Sequence, residues 1–373
     1  MELVVDGLIY QMQRHGGISR IFNEILPRMC NIDSELRVTL FTSGLCLQRL
    51  PHHNQIHHYP PATLSRFLYP SRFWAKLIES YVAPAEVFAR QSTAESIWHP
   101  TYYTQPQDWR GKKVVTVVDM IQEKIPHLFT GSDNDNLRER KKRCIKSAQA
   151  VLCISETTRQ DLLSIYDIPP EKTHVVYLAH APGFRVQGET PDDDLIQGSK
   201  PYILFVGGRD EYKNFRHLIR AFQIWKGGQE ISLQVVGLPW SEEERRLISD
   251  LDLGSRVRVE SRVDDTLLCW LYNHAVAFIY PSLYEGFGIP LLEAMACGCP
   301  VIASRIQSTR EIAGEIPIYF DPNDIDDLVA ALDQCVMEGR STLRTKLGIE
   351  RVSQFSWDRT AQLTLEIYKS ILQ

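Results

Sequence analysis

The sequence predicts an α/β protein made of two Rossmann-like domains, each a doubly wound parallel sheet. Three observations carry this. The chain has 373 residues, more than one hydrophobic core usually organises. Short apolar runs alternate with amphipathic helical stretches along most of it, the order that sets parallel strands beside crossover helices. That alternation stops at a polar, acidic stretch, QGETPDDDLIQGSK, and restarts at Tyr202. The implied division is an N-terminal domain over 1–186, a linker over 187–200, a second domain over 201–355 and a closing helix over 356–373.

Composition narrows the classes. With 41 basic against 46 acidic residues and 44% apolar content, the chain is globular and mildly acidic. A generic nucleic-acid binder, which must neutralise many phosphates, is not expected. None of the eight cysteines forms a C-x-x-C pair, and Cys297 with Cys299 lacks the second half of a zinc site, so reduced thiols are expected. Glu2 and Asp6 stand where a signal peptide would carry basic residues, and no apolar run approaches the roughly 20 residues of a membrane span. The expectation is a cytoplasmic protein, soluble or peripheral on the inner face of the plasma membrane.

In the first half, residues 2–10 read as a strand, and Gly16 and Gly17 turn the chain into a helix whose Ile18, Ile21, Phe22, Ile25, Leu26 and Met29 share one face. A strand, a diglycine and a helix make a candidate anion cradle. A second strand follows over 36–42. His52, His53, His57 and His58, set among Pro51, Pro60 and Pro61, read as a polar loop rather than a metal site. The stretch 64–88, with Arg66, Phe67, Leu68, Tyr69, Arg72, Phe73, Trp74, Lys76 and Leu77, reads as an amphipathic element that either packs on the domain or rests on a membrane interface. SIWHPTYY then leads to a strand over 113–121 that contains Asp119, which either caps the strand end or faces a ligand. The helix over 136–148 carries Arg138, Arg140, Lys141, Lys142, Arg143 and Lys146, read as a solvated face, with attraction to an anionic lipid or a diphosphate-linked acceptor as its functional alternative. A short strand over 151–154 and a helix over 158–166, capped by Ser155, complete the half.

The second half repeats the pattern: a strand over 202–206, the loop GGRDEYKN, a helix with Phe215, Leu218, Ile219 and Phe222 on one face, a strand over 232–237, and a helix from Ser241 whose Glu244 completes a capping box. Loops that follow parallel strands open on one sheet edge, where doubly wound proteins bind ligands. GGRDEYKN brings Arg209 and Lys213 to that edge, a fork and a point charge suited to a diphosphate. LYEGFGIPLLEAMACGCP brings Glu285, Gly286, Phe287, Gly288 and Ile289, then a helix opened by Pro290 and carrying Glu293. Glycines permit close backbone approach and the helix N-terminus favours an anion, while two carboxylates can hold hydroxyl groups. Phosphate plus polyol points to a sugar nucleotide.

The Glu285 stretch, with seven residues between its two glutamates, its GFGIP core and the following ACGCPVIAS, resembles the signature of the retaining glycosyltransferases of family 4. GGISR, HPTYY, VVDMI, CISETT and GGRDEYKN resemble further blocks of that family, so the likeness spans nearly the whole chain. It implies a GT-B fold, two domains facing across a cleft, with the nucleotide diphosphate sugar held by the C-terminal domain. Gly16 and Gly17 would lie near the donor diphosphate, Lys213 and Asn214 at it, Glu293 on the ribose and Glu285 beside the sugar. The chain departs from the pattern twice: Val118 stands where a histidine usually precedes Asp119, and Gly208 where the family's arginine is usual. Either that sugar contact is lost or His99 or Asp119, the acceptor-side candidates, takes over part of it.

The resemblance further implies front-face displacement with retention. Asp133 with Asp135, and Asp324 with Asp326, have the D-x-D form but follow no strand beside a sugar-nucleotide loop, so no metal and no other cofactor is expected. The expected donor is a GDP- or UDP-sugar, GDP-mannose first, and the acceptor a saccharide or lipid-linked saccharide of a surface polysaccharide. An NAD enzyme is disfavoured, since G-x-G-x-x-G follows the first strand of neither half. The rival class is a catalytically decayed sugar-nucleotide-binding protein or subunit, to which Val118 lends weight.

Overall fold

The computed structural model describes residues 1–13, 16–42, 46–59, 89–188, 200–340 and 343–373. The amphipathic stretch 64–88, and 189–199 of the expected linker, lie outside the described residues. The chain divides into two compact units, Met1–Leu178 with Ser356–Gln373, and Ala179–Phe355.

In the first unit, strands β1 (Glu2–Asp6), β2 (Arg37–Phe41), β3 (Ile56–Tyr59), β4 (Ser96–Trp98), β5 (Lys112–Val117), β6 (Ala150–Cys153) and β7 (Thr173–Val175) form a sheet in the order β3-β2-β1-β4-β5-β6-β7. All pairings are parallel, with Val4 opposite both Thr39 and Trp98. The helices are α1 (Leu8–Met12), α2 (Gly17–Ile32), α3 (Ile121–Lys124), α4 (Ser132–Ser147), α5 (Glu156–Ile165) and, at the chain's end, α13 (Trp357–Leu372). In the second unit β8 (Tyr202–Val206), β9 (Ser232–Val236), β10 (Val257–Glu260), β11 (Ala277–Tyr280), β12 (Val301–Ser304) and β13 (Ile318–Phe320) run parallel in the order β10-β9-β8-β11-β12-β13. Its helices are α6 (Phe215–Ile224), α7 (Glu242–Asp250), α8 (Asp265–His274), α9 (Ile289–Ala296), α10 (Gln307–Ala313), α11 (Ile325–Glu338) and α12 (Leu343–Val352). Both sheets are doubly wound, and their strand order reverses beside β1 and β8.

Local chemistry accounts for the element ends. Ser155 accepts from the Thr158 amide, and the Ser241–Glu244 capping box is formed in both directions. Asp324 accepts from the amides of Asp326 and Asp327, so that acidic pair begins α11, while Asp133 and Asp135 lie in the first turn of α4. The second core gathers Phe205, Phe215, Phe222, Trp225 and Phe320 under the sheet, as the periodicity of α6 predicts.

Three readings need correction. The first strand stops at Asp6: the Gly7 amide makes a last bond to Phe41 O at 2.6 Å, but its backbone (φ -100, ψ 24) leaves the extended conformation as the N-cap of α1. Of the four histidines read as loop, His57 and His58 lie in β3, where the parallel ladder with Thr39 and Leu40 overrides the surrounding prolines. Strand β7, helices α10 and α12 and strand β13 had no clear periodic signal, being short or lying in mixed stretches. Lys141, in the basic run of α4, does not join a solvated face. It is 1% exposed and its Nζ donates to Glu123 and Gln122 (2.8 Å each) and to Asp119 O (3.3 Å). Glu123 also accepts from Tyr166 at 2.9 Å, so this buried ion pair pins the turn after β5 to α4 and α5.

Candidate functional site

The polar features converge at the carboxyl edge of the second unit's sheet. β8 and β11 are neighbours, so the loops that follow them, 207–214 and 281–288, emerge side by side. The Leu283 amide donates to Tyr212 O at 2.8 Å and locks the two loops together. On that frame Lys213 Nζ lies 2.6 Å from Glu285 Oε1, both side chains being mostly buried. Its ammonium also stands 5.1 Å from the Tyr212 ring centre and 5.6 Å from that of Tyr280, which the negative ring faces favour. Burial works against the Lys213 charge, but Glu285, with Tyr280 and Tyr212, outweighs it and raises its pKa well above the ordinary lysine value. Lys213 is therefore a fixed cation at neutral pH.

Two glycines are required by this geometry. A Cβ on Gly237, after β9, would stand 2.6 Å from Gly207 O, so only glycine lets the β8 and β9 loops approach. Gly288 has φ +109 and forms the N-cap of α9, where no side chain caps the helix. The start of α9 thus turns its positive dipole end toward an incoming anion, although Pro290 has no N–H and the Leu291 amide is taken by Gly288 O at 3.0 Å. Glu293, one turn further, is buried and accepts from the Tyr272 hydroxyl at 3.3 Å. Burial, then Glu293, raises the Tyr272 pKa far above the tyrosine range.

Other predicted residues have protein partners. Arg209 does not face Lys213: its guanidinium pairs with Glu244 (2.5 Å), donates to Pro239 O (3.1 Å) and stacks over Trp240, 4.8 Å from the ring centre. Its Nη1 is buried with no hydrogen-bond partner. Asn214 has φ +58, stands at the N-cap position of α6 without a side-chain cap bond, and gives its side-chain amide to Pro322 O at 2.7 Å. Phe287 is buried against Phe355, which makes it core rather than ligand face, and Gly286 and Ile289 flank the glycine turn.

In the first unit, Gly16 is the N-cap of α2 and Gly17 its first residue. His99 is wholly buried, its Nδ1 hydrogen-bonded to the Tyr368 hydroxyl of α13 and its Nε2 to Thr116 at 2.8 Å. Burial lowers its pKa to about 3, so the ring is neutral. This placement makes His99 an internal strut between the sheet and α13 rather than a group presented to an acceptor. Asp119, half-buried, accepts from the Ile121 amide at 3.1 Å and sits on the turn that Lys141 holds.

Sequence reasoning passed over Tyr280, Tyr212 and Tyr272, the aromatic partners of Lys213 and Glu293. The available signal was position: Tyr280 is the last residue of the strand that feeds the glutamate loop. It also passed over Ser282 and Ser304, just after β11 and at the end of β12, whose hydroxyls are buried without a protein hydrogen-bond partner.

Residues 186–349 match the family described as glycosyl transferases group 1. The chain is similar to O-antigen chain mannosyltransferase B of Escherichia coli, 26% identical over 371 residues that cover 95% of this chain and 96% of that one. Among solved structures, sucrose-phosphate synthase from Thermosynechococcus elongatus superposes with a TM-score of 0.79 at 20% identity, covering 99% of this chain and 98% of that one. Anabaena HepE, solved in complex with UDP-glucose, gives 0.70 at 16% identity, covering 99% of this chain and all of the other (100%). Among the described residues no helix is long and apolar enough to cross a membrane.

Proposed function

We propose that this chain is a glycosyltransferase that moves a hexose from a nucleotide diphosphate sugar to a saccharide or lipid-linked saccharide acceptor, with retention and without a metal ion, a reading supported by the match of residues 186–349 to glycosyl transferases group 1 and by the GT-B fold. The observation that carries the reading is the Lys213–Glu285 pair, held on two interlocked loops beside the uncapped start of α9. An anionic diphosphate is the ligand that suits a fixed cation next to a helix N-terminus. As the glycosidic bond breaks, the electron pair passes to the leaving phosphate oxygen, whose new charge Lys213 and the positive end of the α9 dipole stabilise. Glu285 faces the sugar, whose ring becomes positive, and Glu293 takes the ribose hydroxyls. The acceptor hydroxyl enters on the same face and gives its proton to the departing phosphate oxygen, so the chain supplies positioning and charge rather than a strong base.

Mannose from GDP-mannose is the first donor to test, because a relative that covers 95% of the chain is named an O-antigen chain mannosyltransferase, and surface polysaccharide is accordingly the proposed destination. UDP-sugars come second, by likeness to a protein solved with UDP-glucose. The test is a melting screen against GDP, UDP, ADP and their sugars, followed by a transfer assay with the donor that binds. A nucleotide at about 100 times its dissociation constant stabilises by roughly 2.7 kcal/mol, a visible shift. Stabilisation by GDP-mannose with no hydrolysis or transfer on any saccharide acceptor would favour a decayed binding protein, and no shift with any nucleotide would remove the donor site from Lys213 and Glu285.

A further inference from the structure

We propose that Lys141 is a positioning residue for the acceptor: from inside α4 it holds the main chain of Asp119, so that the Asp119 carboxylate stands at the sheet edge to receive an acceptor hydroxyl. The inference rests on the transferase reading above and deepens it, because it concerns the acceptor rather than the donor. Asp119 lies just past the end of β5, at the carboxyl edge of the first sheet, the edge on which doubly wound proteins bind ligands. It is half-buried, and its neighbour Val118 has no side-chain hydrogen-bonding group.

The hydrogens of the buried Lys141 ammonium meet Asp119 O at 3.3 Å, Gln122 Oε1 at 2.8 Å and Glu123 Oε2 at 2.8 Å, all within one turn. Glu123 Oε1 accepts from the Tyr166 hydroxyl at 2.9 Å, so the carboxylate that places Lys141 is itself held from the end of α5. The far side of the turn is tied as well, Lys124 to Asp161 at 2.7 Å and Arg138 to Gln122 O at 3.4 Å. Asp119 Oδ1 accepts from the Ile121 amide at 3.1 Å, which sets the direction of the side chain once the main chain is fixed. A charged pair is an informative choice of anchor. Apolar side chains of similar size often stabilise a core as well as a buried ion pair does, since the ions lose their hydration. They cannot, however, fix the direction of a main-chain carbonyl. Lys141 can, because its bonds to Glu123 and Gln122 place the ammonium and leave a hydrogen for Asp119 O. What the pair contributes is therefore the geometry of the Asp119 turn more than stability.

The test separates geometry from stability. Lys141→Met alone leaves Glu123 charged and buried without its cation, and should lower the melting temperature strongly. Adding Glu123→Gln removes that charge, keeps an oxygen for Tyr166 and should restore most of the melting temperature, but it does not restore the bond to Asp119 O. The assays use GDP-mannose or UDP-glucose as donor and methyl mannoside or methyl glucoside as acceptor, whichever the parent uses. In the double variant, kcat/KM for the acceptor should stay lowered roughly tenfold or more, the scale of a displaced reacting group. Donor KM and the melting shift given by GDP or UDP should match the parent, because Lys213 and Glu285 belong to the second unit. In an Asp119→Asn background the same two changes should cost no more than about twofold, since Lys141 acts through that carboxylate. Tyr166→Phe, which removes only the second donor to Glu123, is the milder probe and should lower acceptor kcat/KM about threefold. Recovery of acceptor kcat/KM together with melting temperature in the double variant overturns the positioning role, and so does a loss that persists undiminished in the Asp119→Asn background. Should the double variant not fold, Tyr166→Phe decides: a loss confined to acceptor kcat/KM upholds the role, and parental kinetics overturn it. A parent that a nucleotide stabilises but that glycosylates neither acceptor overturns the proposal together with the transferase reading, whereas equal transfer by parent and double variant overturns the proposal alone.

Discussion

At the scale of residues, the two glutamates of the signature stretch occupy different environments and should fail differently. Glu285 sits on the loop with Lys213 as its ion-pair partner, next to where the proposed reaction changes charge, whereas Glu293 lies inside α9 against Tyr272. A contact to ribose strengthens ground state and transition state alike, while a carboxylate near the cationic sugar helps the transition state selectively. Glu293→Gln should therefore raise the donor KM with little change in kcat, and Glu285→Gln should lower kcat on the order of 100-fold with KM less affected, by analogy with the loss of one charge-stabilising group. Steady-state kinetics at saturating acceptor decide this; the reverse pattern would mean that the sugar is misplaced. The same scale explains the fate of Arg209. Its guanidinium is held by Glu244, the carboxylate that also completes the Ser241 helix cap.

At the scale of elements, α13 shows how one helix is tied to a unit far away in sequence. It packs on α2, and Arg28 reaches Asp358 (2.9 Å), Lys369 reaches Asp33 (2.8 Å) and Thr360 donates to Tyr177 O (2.6 Å). The exposed pairs contribute little, so the buried His99–Tyr368 contact is the more specific anchor. Its pH dependence has a definite sign. The ring titrates near 6.5 when unfolded and at about 3 when folded, so between those values the unfolded chain binds the extra proton. Stability should fall as pH drops below 6.5, His99 contributing up to about 1.4 kcal/mol per pH unit. Urea unfolding at pH 7 and pH 5 should show a larger drop for the parent than for His99→Gln. Equal drops in the two would mean that the folded ring titrates normally.

At the scale of the whole molecule, each unit is a doubly wound sheet, and the charged groups proposed for the diphosphate belong to the second. Lys213 is a permanent cation there and α9 presents the positive end of its dipole, so the proposed leaving group meets compensating charge from the protein itself. Transfer activity should accordingly survive EDTA. Activity abolished by chelation and restored by manganese or magnesium would place the diphosphate against a different set of residues. The amino-acid sequence alone determined the alternation of strands and helices, the doubling of the fold, the caps at Ser155 and Ser241, and the two glycine loops that bear Lys213 and Glu285. These depend on periodicity and hydrogen-bond needs within a few residues. Only the tertiary structure decided the partners of long polar side chains. Glu244 claims Arg209 from 35 residues away, Pro322 claims the Asn214 amide from 108, and Glu123 draws Lys141 out of a basic run into the interior. Such side chains have many rotamers and similar intrinsic preferences, so what settles each one is which carboxylate or carbonyl the packed sheet brings within about 3 Å.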